Sequence, residues 1–188
     1  MSLEQIADNS ITDKNTVHSY LPLYQRLLAG KKETAANVLE VGIYRGGSIK
    51  LWGDFFTNAI VYGLDITDEH IVCESIKTHE RIRLYTSVNA YDVNFVTSEF
   101  TNKGLKFDFM LDDGPHTLES MVKFIKLYSN LMTDDGILII EDVPDWSWIA
   151  ALESIVPPQL LQYVKVYDLR SIKGRYDDIV FTIDMSKA

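Results

Sequence analysis

Apolar residues gather in short runs along this chain. "NVLEVG" (37–42), "IVYGLDI" (60–66), "IRLYTS" (82–87), "FDFMLDD" (107–113) and "GILIIED" (136–142) are nearly continuous in apolar residues. Such continuity, without alternation, is what parallel strands covered on both faces require. Helical spacing lies between them. "SIKLWGDFF" follows the first run, with Ser48 as N-cap. "TLESMVKFIKLYSNLM" follows the fourth, with Thr117 as N-cap and Leu118, Met121, Val122, Ile125 and Tyr128 along one face. Strand then helix, repeated, predicts an α/β doubly wound sheet. Two last runs, "LQYVKVYDL" in the 160s and "DDIVFTIDM" (177–185), are joined by "RSIKGRYDD". That link is too short for a helical crossover, so an antiparallel C-terminal hairpin is expected. The pattern predicts a mostly parallel seven-stranded sheet closed by that hairpin.

Sheets of this kind bind ligands at the carboxyl ends of their strands. Acids collect there: Asp112 and Asp113 ahead of Gly114, Pro115 and His116, then Glu141 and Asp142. Taken alone, Asp112 and Asp113 read at least as well as caps of the following helix, and Glu141 and Asp142 as solvated strand-end charges, as either pair does as a site. Jointly, with a histidine beside them, they point to a cation or a reaction. The first strand ends in "LEVGIYRGGS", whose glycines let the backbone turn tightly and a ligand approach the helix N-terminus. Asp65 closes the second strand about twenty residues further on, where an acid can accept the hydroxyl hydrogens of a ribose. A dinucleotide fingerprint needs glycine where Tyr44 stands, and Tyr44 would crowd a pyrophosphate. The spacing of Glu40, Gly42 and Gly46 instead resembles the E-x-G-x-x-x-G motif of class I methyltransferases that use S-adenosylmethionine (SAM). With Asp65, that resemblance makes SAM the expected cofactor, with Tyr44 and Ser48 on its loop and Asn89 and Asp112 at neighbouring strand ends.

"VLEVGIYRGGSIKLWGDFFTNAIVYGLDI", the "DDGPH" turn and "GILIIEDV" together resemble the metal-dependent sugar O-methyltransferases of macrolide biosynthesis. The upstream "TDKNTVHSYLPLY" looks like the same family's segment ahead of its first strand, so the likeness runs from about residue 12 to about residue 145. Position by position, the resemblance implies Asp113, Glu141 and Asp142 as ligands of Mg²⁺ or a similar ion. It implies His116 as general base, with Glu40, Gly42 and Asp65 at the cofactor. The chain departs from the family in Pro115, where serine is usual, and in Val88, where an acid near the adenine is usual; adenine contacts then fall to Asn89 or backbone groups. His18 and Tyr20 are expected in an N-terminal lid over SAM, within a segment spanning residues 1–30.

The chemistry fits these residue types. A sugar hydroxyl, with a pKa on the order of the ~15.7 of water, is a poor nucleophile until a cation and a base act on it. Carboxylates are the ligands a hard cation prefers. Trp146 and Trp148, just beyond Asp142, read equally as core anchors and as walls of an acceptor pocket. Asp177 and Asp178, beside Arg175, read as hairpin-end charges.

Bulk properties narrow the setting. With 188 residues, 46% of them hydrophobic, the chain suits one domain with a sizeable core. A net charge of −9 argues against a nucleic-acid partner. No run approaches the length of a membrane span, and the N-terminus lacks the basic and apolar regions of a signal peptide. One cysteine, Cys73, fits a reducing compartment, so a cytoplasmic enzyme acting on a small hydroxylated acceptor is expected, with a homo-oligomer open. The competing readings are an NAD-type oxidoreductase and a non-catalytic binding module on the same sheet.

Overall fold

The computed structural model describes residues 1–186. Its seven strands are β1 (Asn37–Val41), β2 (Ile60–Leu64), β3 (Ile82–Tyr85), β4 (Phe107–Asp112), β5 (Met132–Ile140), β6 (Val164–Asp168) and β7 (Ile179–Asp184). They form one sheet in the order β3-β2-β1-β4-β5-β7-β6. β7 pairs antiparallel with both β5 and β6, and the other pairings are parallel. The helical segments are α1 (Leu3–Ile6), α2 (Leu21–Leu28), α3 (Gly47–Phe55), α4 (Glu74–Lys77), α5 (Val93–Val96), α6 (Leu118–Tyr128), α7 (Ile149–Ile155) and α8 (Arg170–Lys173). None among the described residues is long and apolar enough to cross a membrane.

Each face of the sheet is covered, which is why the strands are apolar on both sides. One core joins α2 and α3 to Val38, Val61, Phe109, Leu111, Ile137 and Ile139. The other joins α6 and α7 to Leu39, Val41, Met110, Leu138 and Ile140. Successive side chains of a strand point to opposite faces, so residue parity decides which core a strand-end acid meets.

Local chemistry sets the helix starts. Thr117 caps α6 reciprocally with Ser120, as expected of a capping Thr. α6 buries Met121, Phe124, Ile125 and Tyr128, with Leu118 and Val122 at the margin of the core. α3 begins differently from expectation. Its N-cap is Gly46, at φ 85°, and Ser48 lies inside the first turn without capping. The left-handed backbone there suits glycine, which has no Cβ to strain. β5 begins at Met132, four residues before the apolar run, because its polar start still pairs with Phe107 across a register shift in β4.

Candidate active site

A cavity of about 1150 Å³ lies along the carboxyl edge of the sheet. Gly42, Tyr44, Ser48, Asp65, Val88 and Asn89 border it on the β1–β3 side, and Asp113, His116, Asp142, Arg175 and Tyr176 on the β4–β7 side. Gly42 has no alternative at its position. Its φ is 85°, and a Cβ added there would lie 1.8 Å from the carbonyl oxygen of Asp113. The glycine turn and the acidic turn after β4 are thus in direct contact.

Asp65 is engaged by the loop it faces. Its Oδ2 accepts from the backbone N–H groups of Ile43 (2.8 Å) and Tyr44 (2.7 Å), and its Oδ1 from that of Thr67 (2.8 Å). A carboxylate has about four acceptor positions, so each oxygen retains capacity toward the cavity. Tyr44 sits at φ 45° and is 65% exposed on the wall.

On the opposite side, Asp113, His116 and Asp142 bring one ligand atom each within 4.8 Å of the others. His116 Nδ1 is 3.4 Å from Asp142 Oδ2, and its Nε2 is 3.8 Å from Asp113 Oδ1. His116 and Asp142 both hold positive φ, 51° and 56°, a conformation that non-glycine residues adopt at a cost of about 1–3 kcal/mol. Strain of that kind persists where the surroundings over-determine the backbone. Burial raises the Asp142 carboxyl above its ordinary value and Asp113 adds to the rise, while Tyr20, His18 and His116 oppose it. A hard cation accepts two such carboxylates without further protein donors, since water can complete its shell. The donors present therefore fit Mg²⁺.

The third expected ligand, Glu141, lies elsewhere. Parity places Glu40, Asp113 and Glu141 with Val38, Leu111 and Ile139, toward the α2–α3 core. There Glu141 Oε1 accepts from Lys14 Nζ and Oε2 accepts from the Tyr24 hydroxyl. Burial holds its carboxyl well above the usual range, with Asp113 adding and Lys14 opposing. Glu141 neither borders the cavity nor joins the Asp113–His116–Asp142 group.

Glu40 is likewise behind the wall. It accepts from Trp52 Nε1 at 2.7 Å and lies 3.6 Å from Lys14 Nζ. Burial pushes its carboxyl up to about 7, against the pull of Lys14. Asp112 has the other parity and faces the α6 core, where Tyr91 donates its hydroxyl at 2.5 Å. These two acids, expected at the cofactor, do not border the cavity.

Asp112 carries a pH prediction. Burial raises its carboxyl to about 7, the Tyr91 hydrogen bond opposing and Asp113 adding. A carboxyl that holds its proton more tightly folded than unfolded takes stability from the fold as pH climbs through its raised value. Asp112→Asn is therefore expected to melt higher than wild type at about pH 8, with the difference clearly smaller at about pH 5 and absent only below the ordinary carboxyl value of about 3.9. Thermal unfolding at the two pH values measures this, and a variant less stable at the higher pH would contradict it.

The N-terminal segment differs from a simple lid. Residues 9–13 do border the cavity, but Tyr20 is fully buried and donates its hydroxyl to Asp142 Oδ1. His18 does border the cavity; it stacks on Tyr20 and binds Asp178 Oδ1 at 2.7 Å through Nδ1. Asp178 is thus a buried partner and no surface charge, while Asp177 pairs with Arg175 as expected of a hairpin end. Trp146 and Trp148 do not line the cavity; Trp148 packs on the α6–α7 core, and Pro144 and Tyr176 border the cavity instead.

No family model matches the chain. It is 29% identical over 156 residues to the demethylmacrocin O-methyltransferase of Streptomyces fradiae, covering 78% of this chain and 37% of that one. To the mycinamicin VI 2''-O-methyltransferase of Micromonospora griseorubida it is 28% identical over 155 residues, again 78% and 37%. The chain spans little more than a third of the length of these curated relatives. A solved methyltransferase of the mycinamycin biosynthetic pathway, in complex with Mg, SAH and mycinamycin VI, matches with a TM-score of 0.75 at 20% identity. That match covers 98% of this chain and 53% of that one.

The fold is that of a class I methyltransferase. The resemblance to macrolide sugar O-methyltransferases read from the motifs reappears in these relatives. Within this methyltransferase fold, the structure brings Gly42, Tyr44, Ser48, Asp65 and Asn89 to one cavity with Asp113, His116 and Asp142. Gly46 shapes the turn from outside that wall, its absent Cβ leaving room for Ile76. Sequence reasoning missed Lys14, Tyr24 and Tyr91. The available signal was parity: three acids on one face of adjacent strands need a counter-charge.

Proposed function

We propose that this methyltransferase fold transfers the methyl group of SAM to a hydroxyl of a small acceptor, a sugar or another vicinal diol, with help from a divalent cation. The observation that carries the reading is the shared cavity. The glycine turn with Asp65, suited to a nucleoside, and the Asp113–His116–Asp142 group, suited to a cation and a proton transfer, border the same space. Relatives named for O-methylation of sugar-bearing compounds support the acceptor class.

In this reading the Gly42–Ser48 turn and Asp65 hold the donor, with Val88 and Asn89 beside its base. Asp113 and Asp142 would hold the cation, which when bound would lower the pKa of the acceptor hydroxyl and fix its orientation. His116, at the cavity wall between the two acids, takes the hydroxyl proton. SAM, when bound, would supply an electrophilic methyl group to the hydroxyl oxygen and leave as a neutral thioether, the acceptor becoming an ether. Orientation and proton removal are the protein's work, since SAM brings its own electrophile. Tyr44 still stands where a dinucleotide would need glycine, which leaves the oxidoreductase reading without support.

Calorimetry with SAM and its demethylated product SAH tests the donor site. Micromolar-range binding is expected, weakened roughly tenfold or more in Asp65→Ala, which removes ribose acceptors and releases the Ile43 and Tyr44 amides. Absence of SAM binding by the wild type would end the methyltransferase reading.

A further inference from the structure

Lys14 takes no part in the chemistry above, yet it is 1% exposed and surrounded by acids. Its Nζ lies 2.6 Å from Asp113 Oδ2, donates to Glu141 Oε1, and is 3.6 Å from Glu40 Oε1. A buried ammonium is unfavourable unless paired, and so is each of these carboxylates. The four groups resolve one another's burial.

Two details give the arrangement direction. Glu141 spends both oxygens on the inner face, one on Lys14 and one on Tyr24, so it has turned from the cavity. Asp113 is divided: Oδ2 is held by Lys14, while Oδ1 faces His116 Nε2. Tyr20, the residue ahead of α2, and Tyr24, one turn further on, stack on each other and donate to Asp142 and Glu141, so neighbouring hydroxyls fix the two consecutive carboxylates.

We propose that Lys14 is a positioning residue: a built-in counter-cation that anchors Glu141 and aims Asp113 at the cavity. The divalent ion then rests on Asp113 and Asp142, with Glu141 as support and not ligand. The ion itself comes from the functional reading above; the Lys14 grip does not depend on it.

The experiment combines thermal unfolding in chelator with Mg²⁺ calorimetry on the metal-stripped chain. The proteins are wild type, Lys14→Met, Glu141→Gln, the double variant Lys14→Met/Glu141→Gln, and Asp142→Asn. Lys14→Met is expected to lower Tm, and the double variant to recover most of the loss, because removing both charges leaves neither stranded. Glu141→Gln and the double variant are expected to bind Mg²⁺ within about threefold of wild type, and Asp142→Asn at least roughly tenfold more weakly. Should Lys14→Met fail to fold, recovery in the double variant still supports the pairing.

A Glu141→Gln variant that loses Mg²⁺ as fully as Asp142→Asn would make Glu141 a ligand and overturn the assignment. So would a Lys14→Met protein that melts like wild type, or a double variant no more stable than Lys14→Met. Wild type that binds no divalent ion would remove the metal from the functional reading, and the melting series would then decide Lys14 alone.

Discussion

His116→Asn is expected to lower kcat for methyl transfer by roughly 10²- to 10⁴-fold, the range that general acid–base catalysis contributes. SAH affinity stays close to wild type, because His116 stands with Asp113 and Asp142 and not with the glycine turn. Asparagine retains hydrogen-bonding capacity and tolerates left-handed backbone, so the φ of 51° is preserved and folding is not the variable under test. Melting temperature and kcat measured on one preparation separate catalysis from support. A stable His116→Asn protein with wild-type kcat would place the base elsewhere.

Chelator is expected to abolish transfer and Mg²⁺ to restore it, and Asp142→Asn is expected to bring a loss of roughly 10²-fold or more that added Mg²⁺ repairs only in part. The reason is electrostatic. Glu40, Asp113, Glu141 and Asp142 crowd one strand edge, and Lys14 is the lysine among them. That ammonium lies against Asp113 and Glu141, leaving Asp142 beside two histidines whose charge is conditional on protonation. A divalent cation at Asp113 and Asp142 would offset the remaining repulsion. SAM binding persists in Asp142→Asn, because the glycine turn and Asp65 are untouched. Full activity in excess chelator would remove the ion from the mechanism.

The strands were legible because burial on both faces leaves continuous apolar runs, and the reversal of β7 followed from a connection too short to cross over. α6 was legible from Thr117 and its spacing. Its buried stripe includes Phe124, which the chosen face omitted, since that side contacts the sheet more broadly than one line of residues. Gly46 takes the N-cap that Ser48 was expected to hold because the turn needs a left-handed residue there, and side-chain propensity is secondary to that geometry.

Within the site, position along the chain was legible and orientation was not. Asp112 and Asp113 are neighbours in sequence but belong to opposite faces, one bound to Tyr91 and the other to Lys14. Glu141 and Asp142 are both held by neighbouring tyrosines of one core, yet of the two it is Asp142, at its left-handed turn, that borders the cavity. Motif spacing carries no record of which oxygen a distant tyrosine holds. The same limit applies to His18 and Tyr20, whose partners Asp178 and Asp142 lie 160 and 122 residues away.

The most direct test of metal-assisted O-methylation is transfer of labelled methyl from SAM to a panel of sugars and other vicinal diols, with Mg²⁺ and with excess EDTA. The account predicts a labelled ether product from at least one hydroxylated acceptor with Mg²⁺ and none with EDTA. Equal transfer in EDTA, or no labelled product from any diol by a protein that binds both SAM and Mg²⁺, would contradict it.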